Sequence, residues 1–178
     1  MAEYREAALP PNPGPRDHVL RVRAGEEHCF ISCSPALWGV WTHWIAERTE
    51  PCIVPKAECR GCQKQAPLRW KGYLHVYDTG TKLPCFLELT PVVAKDLLTL
   101  ASPNADLRGL SFRISRGRGG KAHLRVAWAG GRYNGTDLPE ARDPKDVLTV
   151  LWQMPNRKAR FADAREQSTI ELGTAREF

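Results

Sequence analysis

A histidine and three cysteines lie near one another in the stretch 42–65, where they could share one metal ion. The four side chains are His43, Cys52, Cys59 and Cys62. Cys59 and Cys62 form a C-x-x-C pair whose two-residue gap lets both sulfurs face one ion, and Gly61 permits a tight backbone turn between them. Zinc prefers four thiolate or imidazole ligands in a tetrahedron, and such a site is closed to water. The spacing therefore predicts a structural Zn²⁺ site in a loop at about residues 43–66.

The same cysteines admit other interpretations. A redox dithiol of the thioredoxin type needs its C-x-x-C at the start of a helix, and residues 63–67 do not begin a convincing one. A zinc deaminase needs both an H-x-E and a P-C-x-x-C motif, and neither is complete in this chain. Cys29 and Cys33 lie on one side of a predicted strand and could replace His43, whereas an isolated cysteine such as Cys85 is more often a small buried apolar residue. The identity of the fourth ligand stays open.

The composition is that of a globular protein, with 42% hydrophobic and 26% charged residues. A chain of 178 residues is long enough for one domain with its own core and tails. No stretch approaches the roughly 20 apolar residues of a membrane span, and the charged, proline-containing start is not typical of an export signal. We therefore expect a cytoplasmic protein whose six cysteines are reduced thiols or metal ligands.

Positive charge is concentrated in one segment of the chain. Between Leu107 and Thr136 there are seven basic residues and no Asp or Glu, whereas the whole chain has a net charge of +6. The seven are Arg108, Arg113, Arg116, Arg118, Lys121, Arg125 and Arg132. A local positive field of this kind indicates a polyanionic partner.

The predicted elements are mainly strands, with one helix between the third and fourth. Alternation predicts strands at 28–33 or 37–45, at 69–78, at 84–90, at 110–116 and at 121–128. Thr90 is a good cap and Pro91 a good first residue for a helix over 91–101. The stretch Trp38–Trp44 fits either a helix or a strand. As a strand, it would place Val40, Thr42 and Trp44 on one side and Trp41 and His43 on the other.

This order of elements over residues 20–130 resembles the OB-fold of single-stranded nucleic-acid-binding proteins, here with an inserted zinc-ribbon-like loop. The resemblance implies a five-stranded barrel, with the cysteine-rich loop between strands 1 and 2 and the turn RGRGG between strands 4 and 5. In that family these two loops border the ligand groove. The expected organisation is a flexible leader over 1–17, the OB-like domain over 18–136, a packed C-terminal helix over 137–155 and a polar tail over 156–178.

Strand alternation also predicts a face of aromatic and basic side chains, which suits base stacking and phosphate binding. The predicted nucleic-acid-binding residues are Arg69, Lys71, Tyr73, His75, Tyr77, Phe86, Arg113, Arg116, Arg118, Lys121 and Arg125. We see no nucleophile elbow, P-loop or HExxH motif, so we expect a non-catalytic protein that binds single-stranded DNA or RNA. One alternative is an accessory subunit of a nucleoprotein complex, of the mobile-element or CRISPR type, that grips a protein or ribonucleoprotein partner through residues 137–178. A second alternative is a metal-dependent nuclease.

Overall fold

The chain is built mainly of strands, and the computed structural model describes residues 19–101, 106–119, 123–134, 137–151 and 161–163. In chain order the elements are β1 (Val19–Leu20), β2 (Glu27–Ser32), β3 (Trp38–Ile45), β4 (Arg48–Pro51), a 3₁₀ turn (Lys56–Glu58), α1 (Arg60–Gln63), β5 (Leu68–Asp78), β6 (Leu83–Leu89), α2 (Pro91–Leu100), β7 (Leu110–Arg116), β8 (Leu124–Arg132), α3 (Pro144–Leu151) and β9 (Phe161–Asp163). No helix within these ranges is long and apolar enough to cross a membrane. The predicted leader over 1–17 lies outside the described residues.

The strands form one mixed sheet in the order β1-β6-β5-β2-β7-β8, with β3 joined to β5 at the side. Only the short β1 runs parallel to its neighbour among the described pairings. β5 is long enough to pair with β3 along its first half and with β2 along its second half. The mainly-β class is confirmed.

The expected five-stranded barrel is not confirmed, because the sheet does not close within the described ranges. The alternation at 28–33 and at 37–45 belongs to two separate strands rather than to one, and β1 and β4 add further strands. The placement of a helix after the third strand is therefore not confirmed either, since α2 follows β6. α2 itself begins where its residues predict: the Thr90 hydroxyl accepts a hydrogen bond from the Val93 N–H at 3.5 Å.

The main core lies between α2 and one face of the sheet. It is formed by alternate residues of the strands, including Leu74, Val76, Leu87, Phe112 and Ile114, which are all fully buried. Val93, Ala94 and Leu97 of α2 cover them. The alternation of apolar residues in the sequence therefore assigned these side chains to the correct face.

The opposite face of β5 and β6 is also covered, which the sequence analysis did not anticipate. Tyr73 is 1% exposed and packs with Val40 of β3 and Leu148 of α3. His75 lies 5.0 Å from Phe86, ring centroid to ring centroid, and both are buried. Tyr73, His75 and Phe86, which were predicted to contact nucleic acid, are therefore buried side chains, and a buried ring offers no face for stacking. Alternation tells which side of a strand a residue occupies, but not whether that side is open.

Arg108 fastens the segment that leads into α3. Its guanidinium donates hydrogen bonds to the backbone carbonyls of Leu138 and Pro139, both at 3.2 Å, and to the carbonyl of Cys33. This side chain was counted in the basic field of the sequence, but it is committed to structural hydrogen bonds.

The C-terminal part of the chain contributes another strand. Residues 161–163 form β9, which pairs antiparallel with β3 over Trp38–Val40. These three residues lie within the segment expected to be a polar tail over 156–178, and its other residues lie outside the described ranges.

We expect Leu148→Ala to lower the free energy of unfolding by about 2–5 kcal/mol, since it leaves a cavity beneath a fully buried side chain. Urea unfolding followed by circular dichroism measures the change. The control is Leu83→Ala, which removes the same atoms from a strand residue that is 50% exposed. Equal losses in the two variants would show that α3 does not pack on the sheet in solution.

Candidate metal centre and basic grooves

The structure brings the four predicted ligands together at one end of the sheet. His43 lies near the end of β3, and Cys52 follows β4, which is hairpin-paired to β3. Cys59 directly precedes α1 and Cys62 lies within it. One donor atom from each residue lies within 4.8 Å of all the others. The segment could therefore hold a metal ion.

Three distances between the donor atoms are close to the edges of a tetrahedral metal site. Cys52 Sγ lies 3.7 Å from Cys62 Sγ and 4.0 Å from Cys59 Sγ, and Cys62 Sγ lies 3.6 Å from His43 Nε2. With Zn–S bonds of about 2.3 Å and Zn–N bonds of about 2.0–2.1 Å, a regular tetrahedron has S–S edges of about 3.8 Å and S–N edges of about 3.5 Å. A disulfide would need the sulfurs at about 2.05 Å. The arrangement is compatible with zinc.

A backbone carbonyl fixes the orientation of the histidine ring. His43 Nδ1 lies 2.9 Å from the carbonyl oxygen of Ala66, so Nδ1 carries the proton and donates it to that oxygen. The Nε2 lone pair then faces the three sulfurs. A second ring nitrogen held by a carbonyl is the usual arrangement of metal-binding histidines, and it favours His43 as the fourth ligand.

The surroundings of the sulfurs favour one thiolate in particular. Burial raises the pKa of the Cys59 thiol, but backbone N–H groups of Cys62, Ile53 and Gly61 lower it by more, to about 7. For Cys52, burial and the neighbouring thiols raise the pKa to about 12. A bound cation would displace the proton of the Cys52 thiol, because the thiolate is the form that binds metal.

Gly61 is required by close packing and not by a special backbone angle. It lies within α1, and a Cβ atom added to it would sit 2.2 Å from Cγ and Cδ2 of the His43 ring. The spacing of the cysteines predicted that Gly61 permits a turn, whereas its contact with the His43 ring is the reason that only glycine fits here.

The other cysteines lie apart from this cluster. Cys33 and Cys85 are buried, and burial raises the pKa of their thiols to about 11 and about 12. Cys29 is exposed. Of the histidine, cysteine and acidic residues in the described ranges, only His43, Cys52, Cys59 and Cys62 form a group that could hold an ion. This excludes Cys29 and Cys33 as alternatives to His43.

A groove with a volume of about 490 Å³ lies beside the candidate metal centre, with His43 in its lining; we call it the first groove. His43 and Thr42 line it from β3, together with Trp44, whose side chain is 49% exposed. Its cations are Arg21, Arg69, Lys71 and Arg116, and His123 also lines it. The predicted residues Arg69, Lys71 and Arg116 therefore lie on one concave surface.

Glu88 fixes two of these cations. Its carboxylate accepts hydrogen bonds at 2.9 Å from Arg21 Nε and from Lys71 Nζ, and at 3.3 Å from the Tyr73 hydroxyl. The Glu88 side chain is only 7% exposed, so its negative charge is shielded while Arg21 remains largely exposed. The negative charge of Glu88 beside the Tyr73 hydroxyl also raises the pKa of the tyrosine, after the larger effect of burial.

A second groove of about 560 Å³ lies beside the β7–β8 hairpin, and Arg116 and His123 line it too. The predicted residues Arg118 and Arg125 lie here. Arg113 lies outside both grooves and pairs with Glu27 at 3.3 Å. Tyr77 is half-buried and borders neither groove, and Lys121 lies outside the described residues.

Sequence reasoning missed Trp44 and Arg21 as groove residues. The pattern Val40-Thr42-Trp44 was available, and the structure confirms its strand interpretation: Val40 and Thr42 are buried, and Trp44 is exposed at the strand end. No local pattern in the sequence marks Arg21 as a groove residue, because its place there depends on the pairing of β1 with β6, a contact between distant residues.

No family model, curated protein or solved structure matches this chain.

We expect Gly61→Ala to weaken metal binding, since the new methyl group would push the His43 ring away from the three sulfurs. The matched control is Gly119→Ala, because a Cβ atom at Gly119 has no neighbour within 4 Å. Competition with a chromophoric chelator measures the Zn²⁺ affinity of both variants, with an expected loss of roughly 10-fold or more for Gly61→Ala, the range of a disturbed ligand orientation. Equal affinities would show that the ring does not serve as a ligand.

Proposed function

We propose that this protein is a non-catalytic, zinc-stabilised protein that binds single-stranded nucleic acid in the first groove. The observation that carries the proposal is the position of a Cys₃His donor set beside a groove lined by four cations and an exposed tryptophan. The zinc has a structural role, and the groove is the binding surface.

The cysteine-containing segment needs a metal because its own hydrophobic cluster is small. Its apolar cluster contains only Cys52, Ile53 and Cys59 as buried residues, with Trp41 and Cys62 against it. Such a small core offsets little of the conformational entropy lost when about a dozen residues are ordered. Zinc binding by four residues supplies that free energy, as in other small zinc-binding modules.

The donor set argues against a catalytic role for the metal. Four protein ligands leave no open coordination position for water or substrate. Three thiolates also disfavour Mg²⁺, which prefers oxygen ligands, and this weakens the alternative of a metal-dependent nuclease. Glu88 is a poor general base, since two cations and a tyrosine hydroxyl occupy its oxygens.

The groove suits a single strand better than a duplex. Trp44 provides one exposed ring on which a base can stack, and Arg21, Arg69, Lys71 and Arg116 can neutralise phosphates. Stacking on a ring requires a base that is not already stacked in a duplex. The groove therefore selects single strands over duplexes while reading little sequence.

The accessory-subunit alternative loses part of its support. Leu148 of α3 is buried within the chain's own fold, and residues 161–163 pair with β3. These parts of the proposed partner-binding segment therefore make contacts within the chain rather than with a partner.

For the metal, we expect one zinc ion per chain, lost in Cys59→Ser and retained in Cys29→Ser, whose exposed thiol lies outside the cluster. Mass spectrometry under non-denaturing conditions counts the ion in each protein. Retention of zinc by Cys59→Ser would refute the ligand set.

For the groove, we expect labelled single-stranded oligonucleotides to bind with an affinity that falls as salt rises. Trp44→Ala should cost about 1–3 kcal/mol, the range of one base–aromatic stack. The control is Trp128→Ala, which removes a similarly exposed ring (47% against 49%) that borders neither groove. Fluorescence anisotropy at several salt concentrations measures both variants. Binding that is independent of salt, or a preference for duplex, would contradict the proposal.

A further inference from the structure

The second groove is basic, is built on paired backbone, and shares two residues with the first. We propose that a bound strand continues from the first groove into the second, so that the ligand is an extended single strand rather than a nucleotide or a strand end. This inference rests on the proposed function and adds a second binding subsite, for the phosphate backbone.

Continuity of the two grooves is the first argument. Arg116, at the end of β7, and His123, just before β8, line both of them. A phosphate held at Arg116 in the first groove is therefore already at the border of the second. Each groove is comparable in volume to a pocket for one drug-sized molecule, and two in series have room for several nucleotides.

The charge of the combined surface is the second argument. Six cations line the two grooves: Arg21, Arg69, Lys71, Arg116, Arg118 and Arg125. Three carboxylates line them as well, those of Glu26, Glu27 and Glu88. The surface therefore keeps an excess of positive charge along its length, as a phosphate backbone requires.

The carboxylates of the second groove already have partners. Glu27 pairs at 3.3 Å with Arg113, a cation outside both grooves. Glu26 accepts a hydrogen bond at 2.8 Å from the backbone N–H of Arg23 and lies 3.6 Å from His28 Nε2. Their charges are thus partly compensated, and Arg118 and Arg125 can act on a bound phosphate.

The floor of the second groove is held by hydrogen bonds. The N–H of Gly25 donates to the carbonyl of Arg116 at 2.8 Å, and the N–H of Arg116 donates to that of Glu26 at 3.0 Å. The Arg118 side chain passes over Gly25, where a Cβ atom would lie 3.1 Å from its Cγ. Gly25 also has a φ of +84°, a backbone angle that favours glycine. This contact places the Arg118 stem against the groove floor.

The test compares two oligonucleotide lengths on two double variants. Oligothymidines of about 4 and about 12 nucleotides span the range of site sizes for single-strand-binding domains. The variant R118Q/R125Q removes two cations of the second groove, and the control K82Q/K95Q removes two exposed cations that line neither groove. Anisotropy titrations at several salt concentrations give the affinity and its salt dependence, and circular dichroism confirms that both variants fold.

We expect R118Q/R125Q to bind the long strand roughly 25-fold more weakly near 0.1 M salt, since each lost phosphate contact removes about 0.7 from the logarithmic salt slope. Its affinity for the short strand should match that of the wild type, and K82Q/K95Q should match it for both. If the wild type binds both lengths with the same salt slope, or if R118Q/R125Q weakens both equally or neither, the second subsite is refuted while the first groove stands. If the wild type binds neither strand, the proposed function fails and this inference fails with it.

Discussion

One long strand, β5, carries two sets of backbone pairings that must hold at once. Its first half pairs with β3 and its second half with β2 along one edge, while β6 pairs along the other. Where the β3 pairing begins, Gly39 stands opposite Gly72, and Trp70 fills the space above both. A Cβ atom at Gly39 would lie 2.1 Å from the Trp70 indole nitrogen, so the two glycines are what let this ring lie flat on the sheet. β5 therefore runs without interruption from the candidate metal centre to the main core.

The position of β3 on this strand explains why the cluster and the groove lie side by side. Successive residues of β3 point to opposite faces, so His43 turns toward the cysteines while Thr42 and Trp44 turn away from them. His43 still reaches the edge of the first groove. Fixing His43 on one face of β3 therefore also fixes the backbone that positions Thr42 and Trp44 on the other face.

Local signals in the sequence predicted much of this structure. The C-x-x-C pair, the Thr90-Pro91 helix start and the apolar alternation of β5 to β7 all depend on residues close together in the chain, and all three lie as expected. The failures concern contacts between distant residues. No residue near Tyr73 in the sequence indicates that Leu148 of α3 and Val19, a distant strand residue, pack beside it. For the same reason, the place of Arg21 in the groove could not be predicted. The stretches 28–33 and 37–45, which are two strands, were predicted as alternatives for a single one.

Glu88 illustrates a further gap between pattern and structure. In the sequence it follows two apolar residues on a strand and resembles an ordinary surface charge. In the fold it is almost completely buried, and its hydrogen bonds link β6 to β5 and to Arg21, the residue that follows β1. A buried carboxylate with two cations is costly to form unless all its partners are in place, so this residue favours one arrangement of three strands.

The pairing of β9 with β3 bears on the order in which the molecule assembles. Trp38 and Asp163 are partners across 125 residues of chain, one of the slowest kinds of contact to close. β4 and β9 share the same edge of β3, with β4 on its second half and β9 on its first. The hairpin can form early from neighbouring residues, whereas the first half of that edge stays open until residues 161–163 have been synthesised. A nascent chain therefore exposes an unpaired strand edge next to its metal ligands, the kind of edge that recruits other chains.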